Sequence, residues 1–160
     1  AAFLVLETAA HAASRGVPAL AVLGGYGLAD EPHPHGADKP CAGVGLCEAI
    51  RQTAERSARG GVRTGRMAWV VSDQNGERHR AKEWALTSSR LHEMLAPDLE
   101  LWHPAESFGD TGAASLPLHA ALVAETLRRG AEPAAEALLL ASSDGPARAG
   151  LRMRTPAGKD

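Results

Sequence analysis

The chain has 160 residues, with 17 lysines and arginines against 19 aspartates and glutamates, and 44% of its residues are hydrophobic. This length suits one packed domain and is short for two. The formal net charge of -2 and the lack of any run of five or six like charges exclude a dedicated nucleic-acid or membrane-surface binder. No apolar run reaches the roughly 18 residues that span a bilayer. Two cysteines without a secretory signal pattern indicate free thiols and a cytoplasmic protein.

The start of the chain alternates strand-like apolar runs with a helical pattern. A first strand is predicted at Phe3 to Leu6, and its apolar character indicates that the chain begins inside a larger domain or after a processed segment. An alanine-rich helix is predicted from Glu7 to Arg15, because Gly16 follows it. A second strand is predicted from Ala19 to Gly27, where the glycines are expected to permit a sharp exit into an exposed loop over residues 28–40.

The middle of the chain continues this alternation. Apolar residues at helical spacing predict a helix over about residues 42 to 58. A short apolar run predicts a third strand at Met67 to Val71, and the polar residues Ser72 to Gly76 follow it directly. A helix is then expected from Ala81 to Leu95, and a weaker strand from Leu99 to Trp102.

The last part of the chain contains a long helix and a hairpin. The helix is predicted to begin within residues 109–115, which are small, and to end at Gly130. Two apolar runs, Glu136 to Ser142 and Ala147 to Met153, are separated by a turn that contains Asp-Gly. Because the turn is so short, these two strands should pair antiparallel.

The predicted order is β-α-β-α-β-α-(β)-α-β-β, which is typical of an α/β fold with a mainly parallel sheet. Residues 1–155 are expected to form a single domain, and residues 156–160 a tail. Ligands gather at the carboxyl ends of strands in parallel sheets. The segment Ser72 to Gly76 is therefore the first place to look for chemistry.

Three stretches of sequence carry a resemblance to a known family. Gly109 to Leu118, GDTGAASLPL, resembles the G-H-T-x-G-A-A-G segment of β-ketoacyl-acyl-carrier-protein synthases, and still more the G-N-T-S-A-A-S-x-P of the initiating synthases. His11 to Gly27 and the hairpin from Leu138 to Met153 resemble other segments of the same enzymes, although the usual F-G-x-G-G string is here SSDGP. Over nearly its whole length, the chain is similar to the C-terminal half of such a synthase, in the thiolase-like superfamily.

The resemblance implies an α/β, thiolase-like C-terminal half, with a layered mixed sheet and packed helices. It also implies a protein that handles acyl thioesters in fatty-acid or polyketide-type biosynthesis; if active, it would be an acyltransferase. The expected partners are an N-terminal thiolase-like half, in cis or in a partner subunit of a homo- or heterodimer, and an acyl carrier protein. No cofactor is expected beyond the acyl carrier protein or coenzyme A that carries the substrate.

The family's catalytic residues are a cysteine nucleophile and two donors, His with His or His with Asn, which stabilise the thioester oxyanion. The nucleophile belongs to the N-terminal half, so neither Cys41 nor Cys47 matches it. The first donor position falls on Asn75 when the glycines are aligned, and on Asp73 when the glutamines are aligned. The second falls on Asp110. These replacements make condensing activity doubtful, and the alternative is a non-catalytic subunit that shapes or docks a catalytic synthase or a carrier protein.

The two substituted positions also have structural interpretations. An ionised Asp110 would repel an oxyanion, but a carboxyl group kept protonated by burial could donate a hydrogen bond. Alternatively, Asp110 caps the amino end of the following helix. Asn75 and Gly76 could simply form a turn, since both residue types tolerate left-handed backbone conformations.

Three other features have competing interpretations. His33, His35, Cys41 and Cys47 include zinc-ligand types, but they lack the short C-x2-C spacing of structural sites, so no metal site is predicted. The basic residues Arg78, Arg80 and Lys82 could dock an acidic carrier protein, or they could form a solvated helix face with local ion pairs. His119 is expected to be a packed or surface histidine rather than a ligand.

Overall fold

The structure is a computed structural model that describes residues 2–60 and 65–156. The described helices and strands alternate along the chain as an α/β protein. The helices are α1 (Ala9–Ser14), α2 (Val44–Arg59), α3 (Arg78–Arg90), α4 (Ala105–Phe108) and α5 (Ser115–Arg129). The strands are β1 (Val22–Asp30), β2 (Met67–Val71), β3 (Leu95–Trp102), β4 (Glu136–Ser142) and β5 (Ala147–Arg154). None of the described helices is both long and apolar enough to cross a membrane.

The five strands form one mixed sheet in the order β1-β5-β4-β2-β3. Strands β4, β2 and β3 run parallel, and Val71 of β2 lies opposite both Leu139 of β4 and Trp102 of β3. The hairpin predicted at the end of the chain is present, because β4 and β5 pair antiparallel with Leu139 opposite Leu151. The carboxyl ends of β2, β3 and β4 therefore lie side by side at one edge of the sheet.

Both faces of the sheet are covered by helices. On one face, Leu46 and Ile50 of α2 pack in a cluster with Val70 of β2, and Trp84 of α3 lies against it. On the other face, Val123 of α5 packs in a second cluster with strand residues of the same sheet. Because both faces of the interior strand β2 are buried, β2 is apolar throughout rather than alternating with polar residues.

Helix α2 packs unusually closely on β1 and β5, along a contact that we call the glycine seam: Gly25, Gly27 and Gly150 against α2. A Cβ atom added to Gly27 would lie 1.9 Å from the carbonyl oxygen of Ala49. The same addition at Gly25 would come within 2.5 Å of the Ser57 hydroxyl. The glycines thus permit close approach of a helix to the sheet.

The glycine seam corrects the predicted end of the second strand. The sequence predicted a sharp exit at the glycines and a loop over residues 28–40, whereas β1 continues through Gly27 to Asp30. The reason is the pairing with β5, which extends from Val22 opposite Arg154 to Asp30 opposite Ala147. Hydrogen bonding along a long partner strand outweighs the weak intrinsic strand preference of glycine.

The strand predicted at Phe3 to Leu6 is wrong. Residues 2–8 have no regular structure, and the side chain of Phe3 is 93% exposed. An apolar run becomes a strand only when a neighbouring strand completes its hydrogen bonds, and no strand among the described residues pairs with this one. The helix that follows is confirmed as α1, where the hydroxyl of Thr8 accepts a hydrogen bond from the backbone N–H of His11.

Two further boundaries differ from the predictions. Helix α3 ends at Arg90 rather than Leu95, and a short 3-10 turn, His92–Met94, leads into a strand that begins four residues before the predicted Leu99. Strand β3 contains Pro97, which the sequence pattern disfavours; it is tolerated because β3 is the outer strand of the sheet. The single domain over residues 1–155 stays a prediction, and residues 157–160 of the predicted tail lie outside the described residues.

Candidate functional site

Polar side chains from three separate segments meet at the carboxyl ends of β2 and β4. We call this group the polar edge. It consists of Asp73, Asn75, Glu77, Arg80, Asp110 and Asp144. This position agrees with the prediction from sequence that functional residues follow the third predicted strand, because ligands collect where parallel strands end.

Arg80 is the centre of the polar edge. Its guanidinium donates hydrogen bonds to Asp73 at 3.0 Å, to Asp144 at 3.0 Å and to the backbone carbonyl of Ser142 at 3.0 Å. It also contacts Glu77 at 3.1 Å, and only 11% of its side chain is exposed. Arg80 is therefore held in local ion pairs and is not free to dock a carrier protein, so for this residue the ion-pair alternative is the correct one.

Asp73 joins the end of β2 to the end of β4. Its carboxylate accepts a hydrogen bond from the backbone N–H of Ser142 and another from Arg80, and its side chain is 11% exposed. Burial raises the pKa of the Asp73 carboxyl above its ordinary value, although the Ser142 N–H and the Arg80 charge act in the opposite direction. Asp73 thus links the ends of β2 and β4, although burying its carboxylate costs desolvation free energy.

Asn75 and Asp110, which are 35 residues apart, are in direct contact. The side-chain amide of Asn75 donates a hydrogen bond to Oδ2 of Asp110 at 2.7 Å and another to Oε2 of Glu77 at 2.9 Å. Its Oδ1 accepts from the backbone N–H of Glu77 at 3.1 Å. The structure therefore brings together the two positions that the sequence analysis singled out from the resemblance.

Asp110 is held in its ionised form. Its Oδ1 accepts a hydrogen bond from the backbone N–H of Gly112 at 2.8 Å, and this contact, followed by the Asn75 amide, lowers the pKa of its carboxyl. The side chain lies in an exposed position. The idea that burial keeps Asp110 protonated is therefore wrong. The structural interpretation is correct only in part. The carboxylate accepts from the first N–H of the 3-10 turn Gly112–Ala114, but the N-cap residue of this turn is Thr111 and that of α5 is Ala114.

A small cleft opens beside these residues, between α4 and the start of α5. Its volume is about 10 Å³, which is about enough for one water molecule. Asp73 and Asp110 line it from one side, and Ser115 and His119 line it from α5. These two α5 residues are four positions apart, so they lie on the same face of the helix.

His119 was expected to be a packed or surface histidine, and it is packed; its place in the wall of the cleft was not predicted. It is 3% exposed, and burial lowers the pKa of its imidazole, so the ring is neutral at pH 7. Among the described residues, its Nδ1 has no hydrogen-bond partner. The sequence did contain a signal for this position. Ser115 and His119 are four residues apart in the predicted helix that follows Asp110, so they were expected on one face of that helix, close to Asp110.

The two histidines and two cysteines considered as zinc ligands do not form a common group among the described residues. The ring of His35 stacks on that of His79 with 4.1 Å between centroids, while Cys47 is buried in the core with Leu46 and Ile50. Cys41 instead lies near the carboxylates of Glu31 and Glu83, and burial raises the pKa of its thiol.

The two carboxylates beside Cys41 already have partners. Glu31 accepts from the backbone N–H of Gly45 at 2.8 Å, at the start of α2, and Glu83 pairs with Arg148 at 2.7 Å. Both contacts are buried, so they satisfy the carboxylates within the fold. This cluster therefore has a structural explanation without a metal ion.

No protein-family model matches the chain, and no curated protein sequence does. Solved structures do match it: the ishigamide ketosynthase/chain length factor superposes with a TM-score of 0.77 at 17% identity, covering 94% of this chain and 42% of that one. Over 94% of its length, the chain shares the fold of part of this ketosynthase. The resemblance seen in the sequence is thereby confirmed at the level of the fold.

Two further ketosynthases support this conclusion. The AntDE:AntF complex, a type II PKS acyl-carrier protein with its ketosynthase bound to the hexaketide, gives a TM-score of 0.80 at 16% identity, over 94% of this chain and 42% of that one. An oxazolomycin ketosynthase domain from Streptomyces albus JA3453 gives 0.74 at 13% identity, over 94% and 48%. The chain thus spans less than half the length of each ketosynthase, and at this identity the likeness establishes the fold alone. The roles of Asn75, Asp110 and Asp73 stay predictions.

Proposed function

We propose that this chain is part of a ketosynthase-like protein that binds acyl thioesters in fatty-acid or polyketide-type biosynthesis and does not condense them. The ketosynthase fold supports the general assignment. Among the similar structures, one is a ketosynthase/chain length factor and another holds an acyl-carrier protein and a hexaketide. These ligands and assemblies belong to those proteins, and their chemistry makes an acyl thioester the natural ligand to test here.

The observation that carries the proposal is the hydrogen bond between Asn75 and Asp110. Condensation creates negative charge on a thioester carbonyl oxygen, which needs free donors pointing at it. The contacts from the Asn75 amide go to Asp110 and Glu77, and Asp110 is an ionised acceptor. Of the two positions that the resemblance assigns to oxyanion donors, Asp110 therefore carries negative charge, and the Asn75 amide already donates to carboxylates. In the alternative alignment, Asp73 also places a carboxyl group at the first position.

The proposal includes partners. We expect an N-terminal thiolase-like half, in cis or in a partner subunit of a homo- or heterodimer, because the chain spans 42% of two of the ketosynthases that it resembles. An acyl carrier protein is the second expected partner. Arg78 and Lys82 are exposed on α3 and remain available to an acidic surface, whereas Arg80 is not. We place the protein in the cytoplasm.

A direct assay tests the proposal. The purified natural protein, with its partner subunit where one co-purifies, is incubated with an acyl-pantetheine thioester and a malonyl thioester. Mass spectrometry then measures the β-ketoacyl product and any acyl adduct on the protein. We expect no β-ketoacyl product and no acyl adduct, either from the wild-type protein or from the Asp110→Asn variant.

The alternative function is a condensing synthase with altered donors. A β-ketoacyl product or a stable acyl adduct from the wild-type protein would contradict our proposal. Loss of that product in Asp110→Asn, with Asp98→Asn on β3 unchanged as a control at an exposed aspartate, would assign Asp110 a part in the reaction. A product unaffected by Asp110→Asn would place the chemistry elsewhere.

A further inference from the structure

The sheet has two outer strands, β1 and β3, and they differ in character. Strand β3 carries Pro97 and the exposed acidic residues Asp98 and Glu100. Proline and charged side chains are common on outer strands, because they discourage another strand from pairing there. Strand β1 has no proline, and its one charged residue is Asp30 at its end. The sequence of β1 therefore contains little that would prevent a further strand from adding to it.

Strand β1 also exposes large apolar side chains. It has nine residues, and Leu23, Tyr26 and Leu28 are 43%, 55% and 63% exposed. A long outer strand of this kind is a template for pairing with another strand. In a solution of this protein the matching strand is β1 of a second copy, because antiparallel pairing of two identical strands has the two-fold symmetry of an ordinary dimer.

Two side chains of α2 already occupy the outer edge of β1. The backbone N–H of Leu28 donates a hydrogen bond to Oε1 of Gln52 at 3.3 Å. The guanidinium of Arg56 donates to the backbone carbonyl of Tyr26 at 2.8 Å, and its carbon lies 4.4 Å from the centre of the Tyr26 ring. Tyr26 and Leu28 are two residues apart, so their backbone groups point to the same side of the strand, away from β5. Both contacts therefore use backbone groups that an added strand would need.

The position of α2 explains why these side chains reach the edge. Gln52 and Arg56 are four residues apart, so they lie on the same face of the helix. The glycine seam brings α2 unusually close to β1, since there is no room for a Cβ at Gly27. In addition, Nε2 of Gln52 donates to Oε1 of Glu48 at 3.0 Å, which leaves the carbonyl oxygen of Gln52 for Leu28.

We propose that Gln52 and Arg56 close the outer edge of β1 against antiparallel pairing with β1 of a second copy of this chain. A second copy would add its strand only by displacing both side chains from the backbone of Tyr26 and Leu28. The closure thus directs any association of this chain to surfaces other than this edge. The inference does not rest on the proposed function, because it involves none of the residues of the polar edge.

Sedimentation equilibrium of the full protein tests the closure. The double variant Gln52→Ala/Arg56→Ala loses both contacts, and alanine keeps the helix favourable. We expect it to self-associate about tenfold more strongly than the wild type, beyond any assembly that the wild type forms, because two hydrogen bonds no longer compete with the added strand. Adding Leu28→Lys to the double variant should abolish this gain, because like charges would then lie on the paired strands.

Arg51→Ala is the matched control, because Arg51 is exposed on the same helix and carries the same charge as Arg56. This variant should associate as the wild type does. The inference is overturned if the folded double variant associates no more strongly than the wild type, or if Arg51→Ala raises association equally. It is also overturned if Leu28→Lys leaves the added association intact, since the contact would then not involve β1.

Hydrogen exchange of the single variant Gln52→Ala decides the question if the double variant does not fold. The amide of Leu28 should exchange about fivefold faster than in the wild type, because it loses its one hydrogen-bond acceptor. The amide of Gly27, which lies opposite Gly150 of β5, should be unchanged. Equal exchange of the Leu28 amide in the two proteins would show that Gln52 does not cover this edge, and the inference would be wrong.

Discussion

The glycine seam and the polar edge join distant parts of the same sheet in opposite ways. At the glycine seam, the backbone of β1 and β5 approaches α2 so closely that Gly27 has no room for a single methyl group. At the polar edge, Asp73, Asn75 and Arg80 connect the segments through side chains. The first contact is fixed by shape and tolerates nothing larger. The second is fixed by charge, so its strength depends on pH and its residues can change while the fold persists.

The largest expected effect comes from breaking the glycine seam. In Gly27→Ala, the new Cβ would lie 1.9 Å from the Ala49 carbonyl oxygen and 2.8 Å from its carbon. Helix α2 would have to move, because both contacts are with backbone. We expect a loss of about 3 kcal/mol or more in the free energy of unfolding, at the upper end of overpacking costs. Urea unfolding followed by circular dichroism measures it.

Gly24→Ala is the control on the same strand. A Cβ there would meet its nearest neighbours at 3.8 to 3.9 Å, which is ordinary contact, so the change should stay within about 0.5 kcal/mol. Equal losses in the free energy of unfolding at Gly24 and Gly27 would show that any substitution destabilises this strand. The close approach of α2 at the glycine seam would then not be the cause.

The polar edge should respond to charge removal in a pH-dependent way. Arg80→Met leaves the buried Asp73 carboxylate without its positive partner, and we expect a loss of about 2 kcal/mol at neutral pH, as for other hydrogen bonds to charged groups. The raised pKa of Asp73 means that its ionisation disfavours the folded state. This penalty is absent below the unfolded pKa and appears as pH rises through the folded pKa. Without Arg80, the penalty grows.

Urea unfolding at two pH values measures this effect. The difference between Arg80→Met and wild type should be largest near pH 7 and smaller below the ordinary aspartate pKa, where Asp73 becomes protonated in both states. Arg78→Met, on the exposed side of the same helix, should change stability by no more than about 0.5 kcal/mol. An equal deficit for Arg80→Met at both pH values would mean that Arg80 acts by packing.

Much of the fold could be predicted from sequence because periodicity and burial act locally. The run Met67 to Val71 has the observed bounds of β2, and the closing hairpin was predicted with the correct pairing. The wrong predictions concern segments whose structure depends on a partner strand that is distant in sequence. Phe3 to Leu6 lacks a partner strand, while the glycines of β1 are held in a strand by β5.

The site could be predicted only in part. The resemblance singled out Asn75 and Asp110, but it could not show that the two bond to each other, since 35 residues separate them. It also could not show that Arg80 is enclosed by carboxylates from Asp73 and Asp144. Such contacts decide whether the pKa of a carboxyl group is raised or lowered, so the protonation state of Asp110 could be decided only from the structure.

The smallest expected effect separates stability from chemistry at the polar edge. A double-mutant cycle with Asn75→Ala and Asp110→Ala should give a coupling energy of about 0.5 kcal/mol, because Asp110 is exposed and solvent screens the contact. The bond from Asn75 to Glu77 remains in the Asp110 variant, so the cycle isolates the contact between Asn75 and Asp110. Urea unfolding of the four proteins measures the coupling.

The pH dependence of this coupling has the opposite sign to that of Asp73. Because the folded state lowers the pKa of Asp110, the stabilisation is present above the unfolded pKa and is lost as pH falls through the folded pKa. Added salt should also reduce it. No coupling at low salt and neutral pH would mean that Asn75 does not hold Asp110, and the Asn75 amide would then be free to donate to an oxyanion. A small coupling energy is sufficient to exclude this, because little energy is needed to keep the Asp110 carboxylate beside Asn75. That carboxylate places negative charge where condensation needs a hydrogen-bond donor.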